Sequence, residues 1–218
     1  MAKQKKEISK DRIIELYTEH LLEHGQEPPS VYAFAKENKF TEAEFYNFFG
    51  SFPSVEAAFY EHIFHHSYTL IQQSDDWEEA DAREKLLTFY YTFFENLTAN
   101  RSFVLVSIGK APSMKSLKKL RSLRKAFKAM IHDLDIDTLD LNHGQLNSLQ
   151  QKALEESAWI QLITTLKFWL EDSSPGFEKT DVFIEKAVNT SFELMNVRPI
   201  RRLLDFGKFI LHERSFTS

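Results

Sequence analysis

Apolar positions recur along this chain every three or four residues and nowhere alternate strictly over a useful length. That repeat predicts amphipathic helices and no strand. "SKDRIIELYTEHLLEHG" places Ile13, Tyr17, His20, Leu21 and His24 on one face, with Ser9 positioned to cap the start and Gly25 to end the helix. "EPP" breaks the pattern. Val31, Phe34 and Ala35 then stand at i, i+3, i+4 in a short helix opened by Ser30. A third helix follows from Thr41, and a longer one spans about 54–73.

The third helix is unusually well specified. Thr41 and Glu44 have the spacing of a capping box, and Phe40 and Phe45 that of a hydrophobic staple. Phe45, Phe48 and Phe49 are expected to face inward, and Asn38 is expected to take the left-handed backbone conformation in the preceding turn. Beyond the acidic "SDDWEEAD", aromatic helices are predicted over 83–97 and 102–110. A basic helix is predicted from Lys115 to about Asp133, its apolar face formed by Leu117, Leu120, Leu123, Phe127 and Met130. Two long helices occupy about 145–172 and 179–196, and a last amphipathic one runs from about Pro199 to His212. The fold class is all-α, with a small headpiece at 1–54 and a helical-bundle body at 55–218.

Composition sharpens this picture in three places. Cysteine is absent, which excludes disulfides and thiolate metal sites and suits a reducing compartment. Twenty Phe residues imply deep aromatic burial, an apolar cavity or a large interface. No apolar run reaches the ~18 residues needed to cross a bilayer. The basic amino end has no apolar segment behind it, so a cytoplasmic protein without a signal peptide is expected.

Net charge is −5, and residues 1–50 hold seven Lys or Arg against nine Asp or Glu. By contrast, Lys110 to Lys128 contains eight basic residues and no acid.

A helix, a Gly-containing break, a short helix, a tight turn and another short helix make the plan of a helix-turn-helix. Residues 9–64 resemble the DNA-binding domain of the TetR family of transcriptional regulators. The resemblance is carried by "SVYAFA", by "FTEAEFYNFF" and by "FYNFFGS" leading into the fourth helix. It implies an N-terminal three-helix DNA-binding headpiece and a larger body that binds a ligand and dimerises.

Mapped onto this sequence, it implies a DNA-facing set of Lys36, Lys39, Thr41, Glu42, Ala43, Tyr46 and Asn47. Lys5, Lys6 and Lys10 would form a basic arm. The sequence departs from the family where Glu42, Ala43 and Glu44 replace the common Lys, Gly and Ser/Thr. Phe52 stands where a phosphate-contacting Lys is common. Weaker phosphate contacts are expected from both changes, although a glutamate can read cytosine N4.

In the body, "ESAWIQLITTLKFWLED" is apolar on almost every side, so its helix must be buried on more than one face. The resemblance implies a homodimer through helices 145–172 and 179–196, and an effector pocket. The expected lining is Phe89, Tyr90, Phe93, Phe94, Phe103, Trp159, Ile163 and Phe168, suited to a fatty, aromatic or isoprenoid molecule.

A second reading rests on the basic helix and on the terminal segment with Arg201, Arg202 and Lys208, which have the character of membrane-surface helices. In design this is similar to a TetR-fold accessory protein of ubiquinone biosynthesis that binds lipid and does not use its headpiece for DNA.

Candidate chemistry is sparse. His20/His24 and His62/His65/His66 have metal-ligand spacing without a supporting Cys or carboxylate. Asp133, Asp135 and Asp137 begin like a calcium loop, but Thr138 and Gly144 occupy its glycine and glutamate positions. With no phosphate loop, nucleophile elbow or paired-carboxylate motif, no enzyme and no cofactor are expected.

Overall fold

The computed structural model describes residues 8–110, 113–134, 136 and 144–196, and among them no strand occurs. The basic arm residues Lys5 and Lys6, most of the Asp-rich segment and the terminal 199–212 helix lie outside the described residues.

Helix α1 (Lys10–His24) starts where the Ser9 hydroxyl accepts from the Arg12 amide. It ends at Gly25, whose φ of 67° is a conformation that costs glycine little. Ile13, Tyr17 and Leu21 are buried, His20 is half-buried and His24 is exposed. Helix α2 (Val31–Glu37) is capped by Ser30, whose hydroxyl accepts from the Ala33 amide at 3.1 Å.

The turn after α2 differs from expectation. Asn38 has φ −90°, and Lys39 is left-handed at φ 63°. The amide of Phe40 donates to the Ala35 carbonyl at 3.0 Å and that of Lys39 to Lys36 at 3.3 Å. Those two bonds form a Schellman motif, which requires the left-handed residue one position beyond the cap. Asn38 is the cap itself, and its side-chain amide donates to the Phe34 carbonyl at 2.8 Å.

Helix α3 (Glu42–Tyr46) carries the predicted capping box: Glu44 accepts from the Thr41 amide at 2.6 Å and donates its own amide to the Thr41 hydroxyl at 3.2 Å. Phe45 and Phe49 are buried, but Phe48 is 42% exposed. The helix ends at Tyr46, and the Phe48 and Phe49 amides both donate to the Phe45 carbonyl. This tightened turn leaves helical phase, so only one of the two later rings points inward.

The headpiece core is aromatic. Phe34 meets Tyr17, His20, Phe40, Phe45 and Phe52 edge-on, at centroid distances between 5.6 and 6.4 Å. Phe52 also stacks on Tyr17 at 5.2 Å. The position where a surface lysine is common in the family therefore belongs to the core in this chain.

Helix α4 (Phe52–Gln72) leads to α5 (Ala82–Ala99), α6 (Arg101–Ile108) and α7 (Met114–Leu117). The expected continuous basic helix is interrupted by a 3-10 turn, Lys118–Leu120, before α8 (Arg121–Asp133). The chain then forms α9 (Gly144–Glu171), a 3-10 turn Pro175–Phe177, and α10 (Glu178–Asn196).

Two compact units result: Met1–Leu70 with Thr92–Ala126, and Ile71–Tyr91 with Phe127–Ser218. Residue 54 thus lies inside the first unit, where α1 packs on α6 and α2 on α3. In the second unit α9 packs on α10. Asp172 closes that hairpin, accepting from the amides and hydroxyls of Ser174 and Thr180 at 2.7–3.0 Å.

Candidate functional site

The Schellman turn and the capping box hold α2 and α3 as a rigid corner, and their outer faces present the candidate DNA-facing side chains. Ala43, Asn47, Lys36, Lys39 and Thr41 are exposed, Tyr46 is 52% exposed, and Glu42 is half-buried. Lys10 is exposed at the start of α1. The Lys36 ammonium lies 5.9 Å from the centre of the Tyr32 ring on the outer side of α2.

The two glutamates of α3 have different employment. Glu44 is spent on Thr41, taking both its amide and its hydroxyl. Glu42 accepts from the Tyr46 hydroxyl at 3.3 Å, one turn along the same face. Glu42 therefore holds its carboxylate beside the exposed Tyr46 and Glu44 holds its own against Thr41, so both negative charges stay at the leading end of α3.

The aromatic set expected to line an effector site is divided between the two units. Phe93, Phe94 and Phe103 belong to the first, where Phe103 packs against Phe59 at 4.2 Å and Tyr60 at 6.4 Å. Phe89, Tyr90 and Trp159 belong to the second and are gathered by Phe127, at 5.7, 6.3 and 6.4 Å respectively. Phe168 stacks on Phe183 of α10 at 4.6 Å, and Ile163 is half-buried on α9. Phe127 is the residue that sequence reasoning missed: it reads as one of several apolar positions on a basic helix. Among the described residues, no three His, Asp or Glu side chains gather as a metal site.

Helices α9 and α10 keep apolar side chains on their outside. Leu149 and Ile160 on α9, and Val182 and Leu194 on α10, are each between 48% and 64% exposed. Ala153, Ser157 and Thr164, also exposed, continue the α9 stripe at helical spacing. Small and apolar residues in such a row suit close approach of another helix.

Residues 85–210 match the family described as the tetracyclin repressor-like, C-terminal domain. The chain belongs to the TetR family. No curated protein matches it. The TetR-family match starts within α5 and includes all of α6 to α10, so it identifies the body. The headpiece precedes the match and rests on its own geometry: capped short helices, a Schellman corner and an outward face of Ala43, Tyr46 and Asn47. No helix among the described residues is long and apolar enough to cross a membrane.

Proposed function

We propose that this TetR-family chain is a ligand-responsive transcriptional regulator that binds operator DNA as a homodimer. The observation that carries the reading is the α2–α3 corner, which fixes a short helix at one end and leaves its Tyr46 and Asn47 face open. A recognition helix needs that combination of a locked frame and a free face. Lys10, Lys36 and Lys39, with Lys5 and Lys6 on the arm, supply phosphate contacts, and Thr41, Glu42 and Ala43 approach the base edges. The apolar stripe on α9 and α10 is the two-fold interface. The effector is a small apolar molecule held among the aromatic side chains around Phe127.

Selection of random duplex DNA by the purified protein at low salt tests this directly. The expected result is an enriched pseudo-palindrome with half-sites about one helical turn, ~34–36 Å, apart. Binding should weaken as salt rises, with a slope set by the few lysines involved. The reading fails if no sequence is enriched and if residual binding is indifferent to a Tyr46→Ala/Asn47→Ala change.

One observation favours a second reading, a TetR-fold accessory protein at a lipid surface. Lys118, Arg121 and Lys125 are exposed at helical spacing, and Met114, 78% exposed, lies just before them. Co-sedimentation with anionic vesicles, together with a failed DNA selection, would place the protein there instead.

A further inference from the structure

Helix α4 reads "FPSVEAAFY" at its start, and one acid stands inside its apolar run. Glu56 is fully buried. One carboxylate oxygen accepts from the Tyr17 hydroxyl of α1 at 3.2 Å. The other accepts from the Ser107 hydroxyl of α6 and from the Lys119 ammonium at 2.8 Å. Lys119 also donates to the Ser107 carbonyl at 2.8 Å, and the Tyr60 hydroxyl donates to Ser107 at 3.0 Å. Four elements of the first unit therefore converge on a single carboxylate: α1, α4, α6 and the 3-10 turn that follows α7.

The arrangement is asymmetric. Tyr17, Tyr60 and Ser107 are neutral, so among the described residues Lys119 is the carboxylate's direct counter-charge. A buried carboxylate without a cation carries a desolvation cost of several kcal/mol. Burial, reinforced by Glu56, keeps the Tyr17 phenol raised well above its ordinary range and hence a donor. The Tyr17 ring in turn stacks on Phe52 and meets Phe34, at the centre of the headpiece core. Tyr17 thus has its hydroxyl in the polar cluster and its ring in the core that holds α2 and α3.

We propose that Glu56 is a positioning residue that makes the setting of α1 depend on where the Lys119 ammonium sits. A displacement of the 118–120 turn withdraws the cation from the carboxylate. Glu56 then loses its counter-charge, its acceptance from Tyr17 changes, and the ring that packs on Phe52 and Phe34 moves with it. For regulation this rests on the proposed DNA-binding role of the headpiece. The structural coupling does not.

The chain has no cysteine, so paired spin labels at two introduced cysteines report a distance without background. Glu23 on α1 and Glu95 on α5 are both exposed in the first unit and suit this use. Labelled chains would be diluted with unlabelled ones and measured without DNA or effector. Lys119→Met should shift the Glu23–Glu95 distance by on the order of 2 Å, or broaden it clearly, as a helix shift does. The double variant Lys119→Met/Glu56→Gln, which removes both charges, should restore the original distribution.

A folded Lys119→Met protein with the wild-type distribution would overturn the proposal. Should that variant fail to fold, Tyr17→Phe decides: a broadened distribution supports the coupling, and an unchanged one refutes it. A separate arm measures affinity for the selected duplex, where Lys119→Met is expected to lose roughly tenfold. A failed DNA selection sinks the regulator reading but leaves the distance result standing.

Discussion

The headpiece and the α9–α10 hairpin solve burial in opposite ways. In the headpiece, short helices bury a cluster of rings within one chain, around Phe34, and leave Tyr32, Tyr46 and Phe48 exposed. The hairpin buries Leu162, Leu166, Trp169, Ile184 and Val188 but leaves Ile160 and Leu194 outside. Their buried carboxylates differ as well. Glu56 draws on residues far away in sequence, while Asp172 is satisfied by Ser174 and Thr180 within eight positions. The headpiece core is therefore completed within one chain, and the carboxylate beside it depends on distant partners. The hairpin is locally self-sufficient but open on one face, which fits an element completed by a second copy.

The largest effect should come from breaking the long-range pair. Lys119→Met leaves Glu56 buried without the Lys119 ammonium and should cost about 3–5 kcal/mol in chemical denaturation. Adding Glu56→Gln should recover most of that loss. If the single and double variants were equally unstable, the lysine would act through its packed stem and not its charge.

Next in size is the open face of the hairpin. Ile160→Glu places a charge in the middle of the α9 stripe and should weaken the proposed dimer by at least ~2 kcal/mol, as loss of an interface anchor does. Sedimentation would then report monomer at concentrations where the parent protein is dimeric, while helical content stays unchanged. Dimerisation that persisted would move the interface away from α9.

The local carboxylate should matter less. Asp172→Ala removes one side-chain acceptor from two amides and two hydroxyls, for an expected loss of about 1–2 kcal/mol. Its pH signature is distinct. Burial pushes the Asp172 carboxyl up, but the hydrogen bonds from Ser174 and Thr180 outweigh it and bring the pKa to about 2, against an ordinary 3.8. Because the folded value lies below the unfolded one, this stabilisation is present above pH ~4 and is lost as pH falls toward ~2. Asp172→Asn should flatten the stability profile in that window alone.

The same contrast explains what was legible in the sequence. Ser9, Ser30, Thr41 with Glu44, and Gly25 act on amides or carbonyls a few residues away, and each does what its local pattern predicts. The all-α class and the long helices follow from periodicity, which survives ring-by-ring packing details. Glu56 was visible only as a charge inside an apolar run, since Tyr17, Ser107 and Lys119 are brought to it by tertiary folding. Phe127 was hidden for the same reason: its aromatic neighbours come from α5 and α9. Phe48 was misplaced because a five-residue helix ends before its periodicity can be extrapolated.

The smallest expected effect tests the turn whose left-handed position reading of the sequence put on the wrong residue. In the α2–α3 turn the left-handed position is Lys39, at φ 63°. A non-glycine residue there costs roughly 1–2 kcal/mol against a right-handed conformation, and the Schellman bonds from Phe40 and Lys39 hold it in place. Lys39→Gly removes that cost, but a glycine also has more freedom to lose on folding. The net gain should be about 0.5–1 kcal/mol. Asn38→Gly should destabilise instead, because Asn38 has negative φ and its side chain holds the Phe34 carbonyl. Opposite signs at adjacent positions would confirm that the corner is set by the geometry of the motif. Equal signs would mean that the turn relaxes around whichever residue is most flexible, and the headpiece would be less rigid than its caps require. Operator affinity measured on the same pair separates the structural role of Lys39 from its proposed contact with DNA: a protein made more stable yet weaker on DNA has lost a phosphate contact and kept its frame.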